Sequence, residues 1–261
     1  MPAYAPDSAY GGQDYVPGSA EALCRLEENS FWFRERNRLL EDAFGRFFPQ
    51  GGRFLEVGCG TGYVLSGLAS ACPGLSPVGA ELFLAGLKLA ASRLPRTELI
   101  QMDARRIPFV EEFDVIGAFD CLEHIGEEEL ALKQMHQALK KGGGLILTVP
   151  QHPCLWSAQD ELSRHKRRYT RRGLTAKLKR AGFQVQWSTS FVSLLLPFFL
   201  FSRVLVRYSK TGGSVLNMPR PLDLTLGAVA DIERRLIKKG LRFPVGGSLL
   251  MVGRKEPGGW S

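Results

Sequence analysis

Four carboxylates stand at or just past the ends of apolar runs in this chain: Glu56, Glu81, Asp103 and Asp120. The first opens the stretch RFLEVGCGTGYVLSGLA (53–69), where Gly58, Gly60 and Gly62 alternate before a helical pattern. Glycines at such a turn let backbone approach a ligand with no Cβ in the way, and the helix beyond offers free N–H groups. The spacing is G-x-G-x-G, with Tyr63 where the dinucleotide fingerprint G-x-G-x-x-G wants glycine. Glu56, two residues before the first glycine, would repel a pyrophosphate and suits a cation. Glu81 follows SPVGA, 25 residues after Glu56, where a carboxylate can accept ribose hydroxyls. Asp103 follows LIQM, where it could accept from an adenine amino group, and FDCLEHI places Asp120 beside the same crevice.

A fold that gathers these groups must bring several strand ends to one edge. Strand and helix patterns alternate from residue 31 to about 189, the signature of a parallel sheet covered by helices. Strands are expected near 53–57, 76–80, 98–101, 113–119 and 144–149, and helices over 33–48, 62–71, 85–93 and 127–140. Gly142-Gly143-Gly144 after Lys140-Lys141 reads as a helix stop with its cations at the favourable end of the dipole. Thr170 reads as the N-cap of a helix over 171–181, followed by a strand over 183–188. SLLMVGRK (248–255) is a further strand, so 190–246 is an insertion far longer than an ordinary connection. The insertion holds an apolar run, FVSLLLPFFLFSRVLVRYSK (191–210), and a helical pattern over 222–239. That run gives about a dozen apolar residues before Arg203, short of the ~20 a transmembrane helix needs. A buried lid helix and an interfacial helix remain open for it.

The 261 residues, 44% apolar, suffice for a proper core. Five scattered cysteines without a C-x-x-C pair suggest neither a disulfide framework nor zinc, and no metal site is assigned. A reducing, cytoplasmic setting follows. Residues 1–20 carry no secretory pattern and read as a flexible lead-in, and 257–261 as a tail. The net charge of +8 is uneven: residues 1–161 hold 14 Lys/Arg against 22 Asp/Glu, whereas 163–222 hold 13 Lys/Arg and no acid. Anions should prefer that second half.

Four carboxylates around a nucleoside pocket call for a positively charged ligand, and S-adenosylmethionine, with its sulfonium and ammonium, meets the requirement. The chain resembles the class I S-adenosylmethionine-dependent methyltransferases: EVGCGTG matches the first motif of the superfamily, GAEL the ribose-binding acid, QMDAR the adenine contact and FDCLEHI the segment after the fourth strand. HKRRYTRRGLTAKLKRAGF resembles the group of ubiquinone and menaquinone C-methyltransferase-like enzymes. The resemblance implies a Rossmann-like α/β fold with a seven-stranded, mostly parallel sheet whose last strand is antiparallel, formed by 21–189 and 247–256. It assigns Glu56, Gly58, Cys59, Gly60 and Gly62 to the methionine part, Glu81 and Leu82 to ribose, Asp103 and Ala104 to adenine, and Asp120 and Cys121 to the methyl-transfer face.

Methyl transfer needs alignment and, for hydroxyl acceptors, a base. The candidate bases are His152, ranked first because the loop after the fifth strand faces the crevice, then His124 and Tyr169. Trp32 and Phe33 in ENSFWFRERNRLL (28–40) could cap the pocket, Arg34 or Arg36 could meet an anionic group, and His165 is a further substrate-side candidate. Three readings of the acceptor compete. In one, a small or lipid-linked metabolite is methylated, with the chain attached peripherally to an anionic membrane surface through the insertion and the basic segment. In the second, the basic 164–180 segment binds RNA, although only Tyr169 interleaves it as a stacking group. In the third, the fold binds the cofactor without catalysis. Oligomeric state is left open.

Overall fold

Phe54, Leu55 and Val57 are buried on alternating faces of one short strand, as a parallel sheet covered on both sides requires. A computed structural model describes residues 19–200 and 218–256 of the chain. Its elements run α1 (Ser19–Asn29), α2 (Phe31–Phe47), β1 (Gly52–Val57), α3 (Tyr63–Ala71), β2 (Leu75–Glu81), α4 (Leu84–Arg93), β3 (Glu98–Gln101), β4 (Phe113–Phe119), α5 (Glu128–Ala138), β5 (Leu139–Pro150), α6 (Ala158–Leu162), α7 (Arg171–Arg180), β6 (Phe183–Phe191), α8 (Arg220–Lys238) and β7 (Ser248–Lys255). The expected lead-in and tail, and residues 201–210 of the apolar run, lie largely or wholly outside the described residues.

The strands form one seven-stranded sheet in the order β3-β2-β1-β4-β5-β7-β6. All neighbours are parallel except β7, which is antiparallel to β5 and β6. Glu56 stands opposite Gly79 of β2 and Gly117 of β4, so three strand ends share one level. The chain leaves β1 toward β2 and β3, then returns to place β4 on the other side. That reversal opens a crevice at the carboxyl ends of β1 and β4. On one face of the sheet, Leu132 and Met135 of α5 and Leu174 and Leu178 of α7 pack against Leu55, Ile116 and Leu145. On the other, Leu40 and Phe44 of α2, Leu65 and Leu68 of α3 and Ile237 of α8 pack against Phe54, Val115 and Ile146.

Three local expectations are corrected. The lysine-glycine run is not a helix stop: α5 ends at Ala138 and β5 begins directly. Phe113 pairs with Leu139 and Val115 with Gly144, so the residues between bulge out, and Lys140 Nζ reaches both oxygens of Asp114 at 2.9 Å. Gly144 is small because Phe48 covers it; a Cβ there would stand 2.0 Å from the ring. A helix, α1, precedes the first one expected. Finally, β6 continues to Phe191 because residues through Phe191 pair with β7, so the apolar run begins as buried strand; residues 196–200 are helical.

The insertion clasps the domain rather than standing off it. Asp223 of α8 accepts from the Phe31 N–H at 2.6 Å and from Arg34 at 2.6 Å, and Arg234 and Lys238 both pair with Asp42 of α2 at 2.5 Å. Among the described residues no helix is long and apolar enough to cross a membrane.

Candidate functional site

The turn after β1 holds Gly58, Gly60 and Gly62 at φ of 74°, 52° and 76°, a left-handed backbone that side-chain-bearing residues rarely adopt. A Cβ on Gly58 would stand 2.5 Å from Cys121 Sγ, whereas one on Gly60 would meet nothing within 4 Å. Gly60 therefore borders open space, and its N–H donates to Glu81 Oε2 at 3.0 Å. The other Glu81 oxygen accepts from the N–H groups of Leu82 and Phe83 at 2.8 and 3.0 Å. Burial raises the Glu81 pKa and the three N–H groups pull it down, with a net rise. This carboxylate ties the turn after β1 to the turn after β2.

Glu56 is buried and its Oε2 has no hydrogen-bond partner. Burial pushes its carboxyl well above the ordinary range; Arg36 opposes the rise, while Glu27 and Glu81 add to it. Arg36, itself buried, pairs with Asp120, and its guanidinium lies 4.6 Å from the Trp32 ring centre and 5.3 Å from that of Phe33. Asp120 has φ of 50° and is fixed by its N–H to the Thr148 carbonyl at 2.9 Å. That φ is a strained backbone for a non-glycine residue. Cys59 and Cys121 are both pushed well up, by burial first and then by surrounding carboxylates, so both stay protonated thiols.

Asp103 is buried but committed: Arg105 holds both its oxygens at 2.6 to 3.0 Å. Burial would raise its carboxyl, yet the Arg105 hydrogen bonds outweigh that and hold it below the ordinary value. Ala104 beside it packs partly against the core. His152, at φ of 61°, donates its backbone N–H to the Tyr169 carbonyl at 2.8 Å, and its Nε2 is buried without a partner. Burial, then Arg168 and Arg171, lower the His152 pKa, so its ring is neutral at pH 7 and able to accept a proton. Tyr169, by contrast, is a core residue whose hydroxyl burial pushes far up. His124 and His165 meet edge to face with ring centres 4.9 Å apart, and Nδ1 of His165 lies 2.9 Å from Asp160.

The fold thus joins Trp32, Phe33, Arg36, Glu56, the glycine turn, Glu81, Asp120 and Cys121 around one crevice, and turns Arg34 away to α8. It also spends much of the basic segment internally. Arg167 and Lys177 pair with Glu128, Arg180 with Glu129, Arg168 with Asp160, and Arg171 donates to Ser188, Ser190 and the Phe243 carbonyl. Sequence reasoning missed Glu27 of α1, which accepts from Thr61 Oγ1 in the glycine turn and from Arg93 at 3.0 Å. The signal that could have found it is the amphipathic pattern of EALCRLEEN.

The methyltransferase domain family model matches residues 27–187. A demethylmenaquinone methyltransferase of Renibacterium salmoninarum is 34% identical over 121 residues, 46% of this chain and 49% of that one. A probable S-adenosylmethionine-dependent methyltransferase of Mycolicibacterium smegmatis is 25% identical over 182 residues, 67% of this chain and 65% of that one. The chain therefore spans about half to two thirds of these relatives' lengths. Among solved structures, the [4+2]-cyclase SpnF superposes with a TM-score of 0.65 at 21% identity, covering 99% of this chain and 100% of that one, a likeness of fold. With the motifs, the strand order and the family match in agreement, the chain belongs to the methyltransferase domain family of the class I S-adenosylmethionine-dependent superfamily.

Proposed function

We propose that this chain transfers a methyl group from S-adenosylmethionine to a small-molecule or lipid-linked acceptor in the crevice between β1 and β4. The observation that carries the proposal is the pairing of open space over Gly60 with a buried Glu56 oxygen that no protein group satisfies. A desolvated carboxylate without a partner suits an ammonium, so the residues fit the cofactor. When bound, S-adenosylmethionine supplies an electrophilic methyl on a sulfonium. Glu56 would hold the ammonium, Glu81 the ribose hydroxyls, and Asp103 the adenine amino group by sharing its lone pairs with Arg105. Trp32, Phe33 and Arg36 would screen the crevice from water. His152, whose Nε2 has no partner, would be the candidate to take a proton from a hydroxyl acceptor.

An apolar acceptor is supported by the insertion. Leu194, Phe198, Leu200, Leu222 and Leu224 are exposed beside the cluster of Phe31, Leu195 and Leu226. The demethylmenaquinone enzyme among the relatives points the same way by name. The RNA reading weakens because Arg167, Arg168, Lys177 and Arg180 are already paired with acids. Calorimetry with S-adenosylmethionine and a labelled-methyl assay on lipid, small-molecule and RNA extracts test the proposal together. Absence of binding heat overturns the cofactor assignment, and label appearing in RNA alone overturns the acceptor class. Vesicle co-sedimentation of a Leu194→Ser, Phe198→Ser variant tests the surface contact; pelleting equal to the parent chain excludes it.

A further inference from the structure

The turn after β4 carries a second set of ligand-type side chains that the reading above does not use. Glu123 and His124, in the 3-10 turn Leu122–His124, and His165, just past α6, offer one oxygen and two ring nitrogens within 4.8 Å of one another. Glu123 is fully buried, and neither of its carboxylate oxygens has a hydrogen-bond partner. His165 Nε2 stands 4.0 Å from Glu123 Oε1, too far for a hydrogen bond. A buried carboxylate with both oxygens unsatisfied is costly, and a cation seated against it removes the cost. His165 is also oriented from behind. Its Nδ1 lies 2.9 Å from Asp160, a fully buried carboxylate that Arg168 and Ser157 hold in place at 2.7 to 2.9 Å. With Nδ1–H donating to Asp160, Nε2 presents its lone pair on the Glu123 side. A carboxylate behind a histidine is the usual support for a metal-ligating imidazole.

We propose that Glu123, His124 and His165 bind a divalent cation, with Asp160 as the positioning residue that fixes the His165 tautomer. Two imidazoles and one carboxylate favour a first-row ion such as Mn²⁺, Co²⁺ or Zn²⁺ over Ca²⁺ or Mg²⁺. Bonds of about 2.1 Å place neighbouring ligand atoms roughly 3.0–3.5 Å apart, so the group closes by about an ångström on loading. Three protein ligands leave positions for oxygen donors. Glu123 lies three residues after Asp120 in the turn that leaves β4, so the site adjoins the crevice. An acceptor hydroxyl as one of those donors rests on the methyltransferase reading; the ion site itself does not.

The test uses the full purified chain, stripped with chelator and titrated with CoCl2 or MnCl2. Calorimetry should show one ion per chain, with visible d–d absorption for Co²⁺. Glu123→Gln and His165→Ala should each weaken binding at least ~10-fold, and Asp160→Asn ~10–100-fold. S-adenosylmethionine affinity of Glu123→Gln should stay within about 2-fold of the parent, and each variant's thermal midpoint reports that it is folded. Glu123→Gln keeps the shape of the buried side chain and so carries the test. No stoichiometric ion in the parent, or equal affinity in Glu123→Gln and His165→Ala, overturns the proposal. A parent that binds the ion but not S-adenosylmethionine sinks the methyltransferase reading and leaves the ion site standing.

Discussion

Arg36 of α2 and Asp120 at the end of β4, 84 residues apart, form a partly buried ion pair across the mouth of the crevice. It ties α2 to the carboxyl end of the sheet, where chemistry is expected. Arg36 also opposes the burial-driven rise of the Glu56 carboxyl, so one cation serves two acids.

Removing that cation leaves both acids uncompensated. Arg36→Met should cost roughly 1–3 kcal/mol, less than the ~3–5 kcal/mol for one side of a fully buried pair because Asp120 keeps some contact with solvent. Urea unfolding measures it, and combining the change with Asp120→Asn should recover ~1–3 kcal/mol as coupling. Additive losses in that cycle would mean the two side chains do not depend on each other.

Glu56 gives a pH signature with a definite sign. Its carboxyl is raised in the folded chain, by burial above all. A cation beside it favours the ionised form, so binding of S-adenosylmethionine should release a proton and weaken as pH falls through the raised value. Calorimetry from pH 8 to pH 5 should show this slope in the parent chain and a flatter one in Glu56→Gln. The ligand-free chain should behave oppositely. An acid with a raised folded pKa contributes stability that is present below its ordinary value near 4.3 and lost as pH rises through the folded one. Glu56→Gln should therefore raise the melting temperature at pH 8, by roughly 2–4 °C for each kcal/mol gained. A lower melting temperature there would show that the carboxylate is satisfied in the folded chain.

At Gly60, stability and binding should separate. Its φ of 52° costs a side-chain-bearing residue about 1–2 kcal/mol, but a Cβ meets no protein atom. Gly60→Val should fold with that modest loss and bind S-adenosylmethionine at least ~10-fold more weakly. Intact affinity would mean that the open space over the turn is not the cofactor site.

The parts of the site legible in the sequence are those built from local rules. The glycine turn shows because left-handed backbone needs glycine, and the acids at Glu56, Glu81 and Asp120 show because strand periodicity locates strand ends. What failed to show depends on partners far along the chain. Lys140 to Gly144 look like a helix stop until Asp114 and Phe48 are beside them. The basic segment looks free until Glu128, Glu129 and Asp160 neutralise it. Glu123 is an unremarked acid in a short turn until His165, 42 residues later, faces it. No local pattern announces a tertiary charge partner.

Asp223 provides a test of whether the insertion holds α2 in place. Its carboxylate accepts from the Phe31 N–H, one of the donors that the first turn of a helix leaves unpaired, and from Arg34 on the same turn. Asp223→Ala removes both contacts. The exposed part of Arg34 can turn to water, but the Phe31 N–H is buried under α8 and loses its acceptor, at a cost of about 1–3 kcal/mol. Arg34→Ala keeps that N–H bond and should cost well under 1 kcal/mol, as a partly exposed ion pair does. Hydrogen exchange reads the difference directly. Amides of residues 31–36 should exchange faster in Asp223→Ala than in Arg34→Ala, while those of 63–71 in α3 stay protected in both. Because Trp32 rides on that turn and Arg36 on the next, Asp223→Ala should also weaken S-adenosylmethionine binding, although Asp223 lies outside the residues assigned to the cofactor. Unchanged exchange and unchanged affinity would show that α2 keeps its place on core packing alone.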